Sequence, residues 1–177
     1  MITKEELYEK HKDILAPRTH IDCEAGWNNL IDIAITLVAN HPGRAIFPDL
    51  KFCTIKQKFG GLRLYTEFGG HRTDGAEPTD PIKGLEFAAF GVGVVKMAEA
   101  LSYRTCEVTG NPGVLCQTPT RFSVWLQTLC AEQQAERGYT PYVPRTHSDK
   151  KKEADDGKPA ENQETSNKEE DQAQDRL

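Results

Sequence analysis

The chain has 177 residues, 37% of them hydrophobic, and a formal net charge of -5. That length predicts a single domain able to bury about two thirds of its unfolded surface, so a core can form without staples. From His147 onward there are ten acidic and six basic side chains, which leaves seventeen against sixteen in the body; a nearly neutral body argues against strong sequence-independent binding to duplex DNA, which needs clustered Lys and Arg.

In chain order, Thr3 followed by Glu5, Glu6, Leu7, His11, Ile14 and Leu15 predicts a short helix with an acidic first turn, stopped by Pro17. Trp27, Leu30, Ile31, Ala34, Leu37 and Val38 recur at helical spacing and predict a second helix, ended by Asn40-His41-Pro42-Gly43. Between Leu50 and Phe68 the period falls to two around Gly60-Gly61, the pattern of a β-hairpin with a tight turn. His71 to Pro81 reads as a loop, and Asp80-Pro81 as the cap and first-turn proline of a third helix over Ile82–Tyr103. Gly91 and Gly93 inside that helix are expected to pack closely against the sheet. They do not form a dinucleotide loop, because the third glycine and the preceding strand are missing. A turn-rich stretch from Thr105 to Thr120 leads to a last helix, Ser123 to Arg137, closed by Gly138.

After Pro144 there is no Val, Ile, Met, Phe, Tyr or Trp. Such a composition cannot offset the entropy of ordering. The expectation is therefore an α+β domain over residues 1–145, a small antiparallel hairpin or sheet packed on three or four helices, with a disordered charged tail over 146–177. The tail is read as a solubilising segment or a frayed gene end, with an acidic interaction tail, competing for the cations of the hairpin face, as the alternative.

The opening Met-Ile-Thr-Lys-Glu-Glu carries no basic region followed by an apolar run, and the longest apolar stretch, Leu85 to Val95, is too short to span a bilayer. No membrane partner and a cytoplasmic location are expected. Cys23, Cys53, Cys106, Cys116 and Cys130, odd in number and irregular in spacing, predict free thiols.

The hairpin carries the main candidate site. With Gly60-Gly61 as the loop, Phe59/Leu62, Gln57/Leu64, Ile55/Thr66 and Cys53/Phe68 share the core face. Lys58 then lies opposite Arg63, Lys56 opposite Tyr65, and Thr54 opposite Glu67 on the other. Opposed like charges destabilise a sheet and ask for an anionic neighbour. Lys56, Lys58, Arg63, Tyr65 and Glu67 are thus candidate ligand-binding residues for a phosphate, a nucleotide or a partner's carboxylate, an aromatic among cations being suited to stack a base and hold its phosphate. The alternative is a plain solvated sheet face. No histidine lies beside a nucleophile in a recognised motif, so no catalytic residue is assigned.

Three blocks, Cys23-Glu-Ala-Gly-Trp27, Lys56-Gln-Lys-Phe-Gly-Gly-Leu-Arg-Leu-Tyr65, and Thr105-Cys-Glu-Val-Thr-Gly110 with Trp125-Leu-Gln-Thr-Leu-Cys130, resemble an uncharacterised family of small phage and prophage proteins. The resemblance implies a phage-related context, and with it the host cytoplasm, but no activity. It also implies a zinc knuckle pair, Cys-x-x-Cys-Gly and Leu-Cys-x-x-His. Here Thr109 and Gln133 stand where the second cysteine and the histidine belong, so no zinc and no other cofactor are expected. The cysteines would instead pack as small apolar residues with Trp125, Leu129 and Val114. The function expected is a non-enzymatic accessory protein that engages a small anionic, nucleotide-like ligand or a host protein through the polar hairpin face, possible inhibition of a host process included. The alternative is an enzyme acting on a nucleotide or phosphoester with Lys56, Lys58 and Arg63 stabilising charge.

Overall fold

The computed structural model describes residues 1–68, 81–119 and 124–144. Met1–Tyr142 forms one compact unit. It is an α+β fold: among the described residues there are four α-helices and two three-stranded sheets. The expected loop at 71–80, the Asp80 cap and the tail beyond 144 lie outside the described residues.

Helix α1 (Lys4–Lys10) begins in a capping box: Thr3 Oγ1 accepts the Glu6 N–H at 3.1 Å, and Glu6 Oε2 accepts the Thr3 N–H at 2.8 Å. It ends earlier than expected. Leu15–Asp22 is not its continuation but strand β1, which pairs in parallel with β2 (Leu50–Lys58). Pro17 is tolerated because β1 is the edge of the β1-β2-β3 sheet and the register is irregular between Leu15 and His20. Thr19 Oγ1 stitches that irregular stretch to Ala16 O and Phe52 O, at 2.8 and 2.6 Å.

Helix α2 (Asn28–Ala39), the helix that the apolar spacing predicts, is the crossover between the parallel strands. Ile31, Ala34, Ile35 and Val38 are buried together with Trp27, Phe52, Ile55, Leu62 and Leu64 and with Phe87, Val94 and Ala98 of α3 (Pro81–Ser102). Gly91 and Gly93 of α3 do not serve close packing: a Cβ at either would meet nothing within 4 Å. Gly91 instead lines an apolar cleft, together with Phe52, Leu64 and Phe87.

The hairpin joining β2 to β3 (Gly61–Phe68) turns at Phe59-Gly60, not Gly60-Gly61. Both turn residues have positive φ, 53° and 77°, as a primed two-residue turn requires. The pairs therefore become Lys58/Gly61, Gln57/Leu62, Lys56/Arg63 and Ile55/Leu64. Over 54–57 and 62–65 this slip of two positions keeps each residue on its expected face and changes its neighbour, whereas Phe59, expected on the core face opposite Leu62, stands in the turn and is 66% exposed. Beyond an irregularity between Phe52 and Thr54 the phase of β2 changes, so Phe52 fills the core where Cys53 was expected. Cys53 Sγ lies 3.5 Å from Tyr65 O.

The C-terminal part of the unit also differs from expectation. Val114–Gln117 and Leu126–Leu129 are strands β4 and β5, and with β6 (Thr140–Pro141) they form a second sheet ordered β5-β4-β6. Helix α4 covers only Ala131–Arg137, with Gly138 at φ 68° as its left-handed C-cap. Leu126-Gln-Thr-Leu129 carries its apolar residues at i and i+3, a helical spacing, so spacing alone does not reveal the strand.

Candidate functional site

The three motif blocks meet one another. Gly26 and Trp27 dock on the 105–110 segment: the Gly26 N–H donates to Glu107 O at 2.7 Å, and Trp27 Nε1 donates to Thr105 O at 2.8 Å. A Cβ on Gly26 would lie 2.3 Å from Cys106 O, so only glycine permits this approach. The hairpin tip is tied to the second sheet, since Thr128 Oγ1 donates to Gly60 O at 2.7 Å and Gln57 Nε2 donates to Leu126 O. Part of the motif signal is thus the seam between two sheets.

The polar hairpin face brings together Lys56, Lys58, Arg63 and Tyr65. Lys56 lies directly across from Arg63, and its Nζ sits 5.5 Å from the centre of the Tyr65 ring. Lys58, opposite Gly61, lies over Phe59 at 5.4 Å. Arg63 Nη2 donates to Tyr103 Oη at 2.9 Å and Nη1 to its neighbour Leu62 O at 2.7 Å. None of these three cations has a carboxylate within 4 Å among the described residues. Asp22 is the register partner of Lys56 on β1, yet the two form no ion pair. Tyr65 is 41% exposed. Glu67 pairs across with Lys51, not with Thr54 as expected, and Lys51 Nζ turns to Asp13 O at 2.6 Å.

Cys106, Cys116, Leu129 and Cys130 form a small second core, against which Val108 and Tyr139 pack. Leu129 takes the expected part in it, whereas Trp125 and Val114 are half exposed and do not. Thr109 Oγ1 lies 3.6 Å from Cys130 Sγ. Burial pushes the Cys106 thiol up, but the Thr109 hydroxyl and the N–H groups of Cys130, Thr109 and Val108 outweigh it and hold the thiol below its ordinary value. Burial and the neighbouring Cys106 push Cys116 the other way. The Gln133 side chain is engaged by Glu136 and Arg137. A hydroxyl and an engaged amide thus stand at the two positions that the resemblance gives to further ligands, and among the described residues no group of three His, Cys, Asp or Glu is arranged to hold a metal ion.

One feature escaped sequence reasoning. Lys4, Asp22, Cys23, Glu24, Gln57, Glu107, Trp125, Gln127, Arg137 and Tyr139 line a polar cleft of about 540 Å³. Glu107 is only 3% exposed; its Oε1 accepts the Glu24 N–H at 3.2 Å and its Oε2 has no partner. Burial raises its carboxyl above the usual range, against the pull of Gln127 and the Glu24 N–H. Burial likewise drives the Cys23 thiol up to about 12, which makes it a poor nucleophile at neutral pH. In the sequence Glu107 is one acidic residue in a turn-rich stretch; its burial comes with the docking of Glu24 and Gly26 on it and the bond of its own N–H to Thr128 O.

No protein-family model matches the chain, and no curated protein and no solved structure matches it either. Among the described residues no helix is long and apolar enough to cross a membrane.

Proposed function

We propose that the protein is a non-enzymatic binding protein that engages a small anionic, nucleotide-like ligand through Lys56, Lys58, Arg63 and Tyr65. The observation that carries this reading is three cations on one sheet face, none within ion-pair distance of a carboxylate among the described residues, beside a half-exposed tyrosine. Like charges directly across a sheet repel, and a phosphate between Lys56 and Arg63 would relieve that repulsion. Arg63 is already oriented by Tyr103, so it gives up less side-chain freedom on binding than a free arginine would. The motif resemblance adds a phage or prophage setting, in which such a protein would work in the host cytoplasm as an accessory factor. Support for binding in preference to phosphoester chemistry comes from the acidic groups. Glu24 and Glu107 lie in a cleft whose walls include none of the three cations, and Asp22, the register neighbour of Lys56, is the acidic group that lines this cleft beside the hairpin face.

The test is calorimetric titration at low salt with a nucleoside triphosphate and with a short pyrimidine oligonucleotide. Lys56→Glu and Arg63→Glu are each expected to weaken binding by about tenfold or more, and added salt to weaken it further. Absence of binding to either ligand would overturn the reading.

A further inference from the structure

Helix α3 is apolar on both faces. One face packs Phe87, Val94 and Ala98 into the core. On the other, Ile82, Leu85, Val92, Met97 and Leu101 are between 44% and 75% exposed. A surface helix ordinarily turns its charges outward, and a helix that is apolar all round is ordinarily covered all round. With its 22 residues the helix is about 33 Å long and about 10 Å wide, so the exposed strip reaches the size that marks an interaction surface. The rest of the chain has little to cover it with. Residues 69–80, 120–123 and 145–177, which lie outside the described residues, hold two large apolar side chains between them, Phe122 and Leu177.

The order of residues along the strip makes it complementary to itself. When two copies of α3 lie antiparallel and cross at Gly93, Leu85 comes level with Leu101 of the second copy, Ala89 with Met97, and Gly93 with itself. A large residue stands beside a small one, and the centre has no side chain to hold the helices apart. Gly93 is exposed, and a Cβ there would meet nothing within 4 Å. The charges agree with this register: Glu86 comes level with Ala100 of the second copy, between its Lys96 and its Arg104, and neither Glu86 nor Arg104 has an ion-pair partner among the described residues. We propose that the exposed face of α3 is the interface of a two-fold symmetric homodimer. Such a pair uses the same patch on both copies, which requires the patch to complement itself about one point. The helix axes would approach toward the short end of the usual range of about 8–10 Å, a spacing that admits a methyl group at position 93 and excludes a longer side chain. The interface is independent of the hairpin cations, and loss of anion binding there would leave it standing.

The test is sedimentation velocity of the full chain from low to several hundred micromolar, for the parent and for Gly93→Glu and Gly93→Lys. The parent is expected to show a reversible monomer–dimer equilibrium. Each variant sets a charge against its own copy across the two-fold axis, so each alone is expected to associate at least about tenfold more weakly. Folding is not at stake, because the position is open and both residues exceed glycine in helix propensity; far-UV circular dichroism matching the parent's checks this. Mixed in equal amounts, the two variants bring opposite charges together at position 93 and are expected to recover the dimer. Leu85→Asp, away from the crossing, is also expected to weaken the parent's association about tenfold. A parent that stays monomeric throughout, as a face kept for a different protein would, a dimer that the variants leave intact, a mixture that remains monomeric, or growth in mass past the dimer would overturn the proposal.

Discussion

Gly61 lies against the ring of Tyr103, close enough that a Cβ at position 61 would fall 2.4 Å from Tyr103 Cζ. The same ring carries the hydroxyl that holds Arg63, so one close contact couples the hairpin register to the pose of a candidate ligand-binding side chain. Gly61→Ala is expected to cost about 1–3 kcal/mol by overpacking and to free Arg63 as Tyr103 is displaced. A chemical denaturation series measures the first effect and nucleotide titration the second.

Phe59 occupies the first position of a primed turn at φ 53°, a region in which a bulky side chain is unfavourable, and it is 66% exposed. Asparagine tolerates that conformation and is preferred before glycine in such turns. Phe59→Asn should stabilise the protein by about 0.5–1 kcal/mol, seen as a thermal midpoint higher by a few degrees. The variant also removes the ring under Lys58.

Gly93 lies in the middle of α3 with open space where a side chain would be. Gly93→Ala is expected to stabilise by about 0.5–1 kcal/mol, because the helix gains propensity and no atom must move. A lower thermal midpoint would mean that something else occupies that face of the helix.

Asp32 on α2 receives Lys10 Nζ at 2.7 Å and His11 Nε2 at 2.7 Å. Burial pushes its carboxyl up, but the hydrogen bonds from Lys10 and His11 prevail and hold it below the usual carboxylate range. A lowered folded-state value means that the group's stabilisation is fully present above the unfolded value, about 3.9, and is lost as pH falls through the folded one. Asp32→Asn should therefore cost about 1 kcal/mol at pH 7, with the gap to the parent protein closing below about pH 4. Urea midpoints measured from pH 7 to pH 3 check both the size and the closing.

Glu107 has the opposite sign. Its carboxyl is raised by burial, so proton binding favours the folded state, and that contribution is lost as pH rises through the folded value. Glu107→Gln should flatten the fall in thermal midpoint on the alkaline side of the carboxyl range. An unchanged pH profile would place the titrating group elsewhere.

Residue spacing alone determined a good part of this protein. The helical repeat from Trp27 to Val38, the two-residue period on either side of the glycines, the Gly138 stop and the α+β class are local properties, and local chemistry encodes them. The polar face was legible for the same reason: a slip of two leaves the faces of a strand unchanged, so Lys56, Lys58, Arg63 and Tyr65 stay together although their partners differ. Tertiary contact decided the rest. Whether Pro17 ends a helix or lies on a sheet edge depends on β2, thirty residues and more away. Whether the turn is centred on Phe59-Gly60 or Gly60-Gly61 depends on the packing of Tyr103 and the hydroxyl of Thr128. The burial of Glu107 comes with the docking of Glu24 and Gly26 and the bond of its own N–H to Thr128 O. A sequence pattern carries the preferences of a residue for its own backbone, whereas the neighbours that unite or bury side chains come from chain segments far apart in sequence, and only the folded chain brings those together.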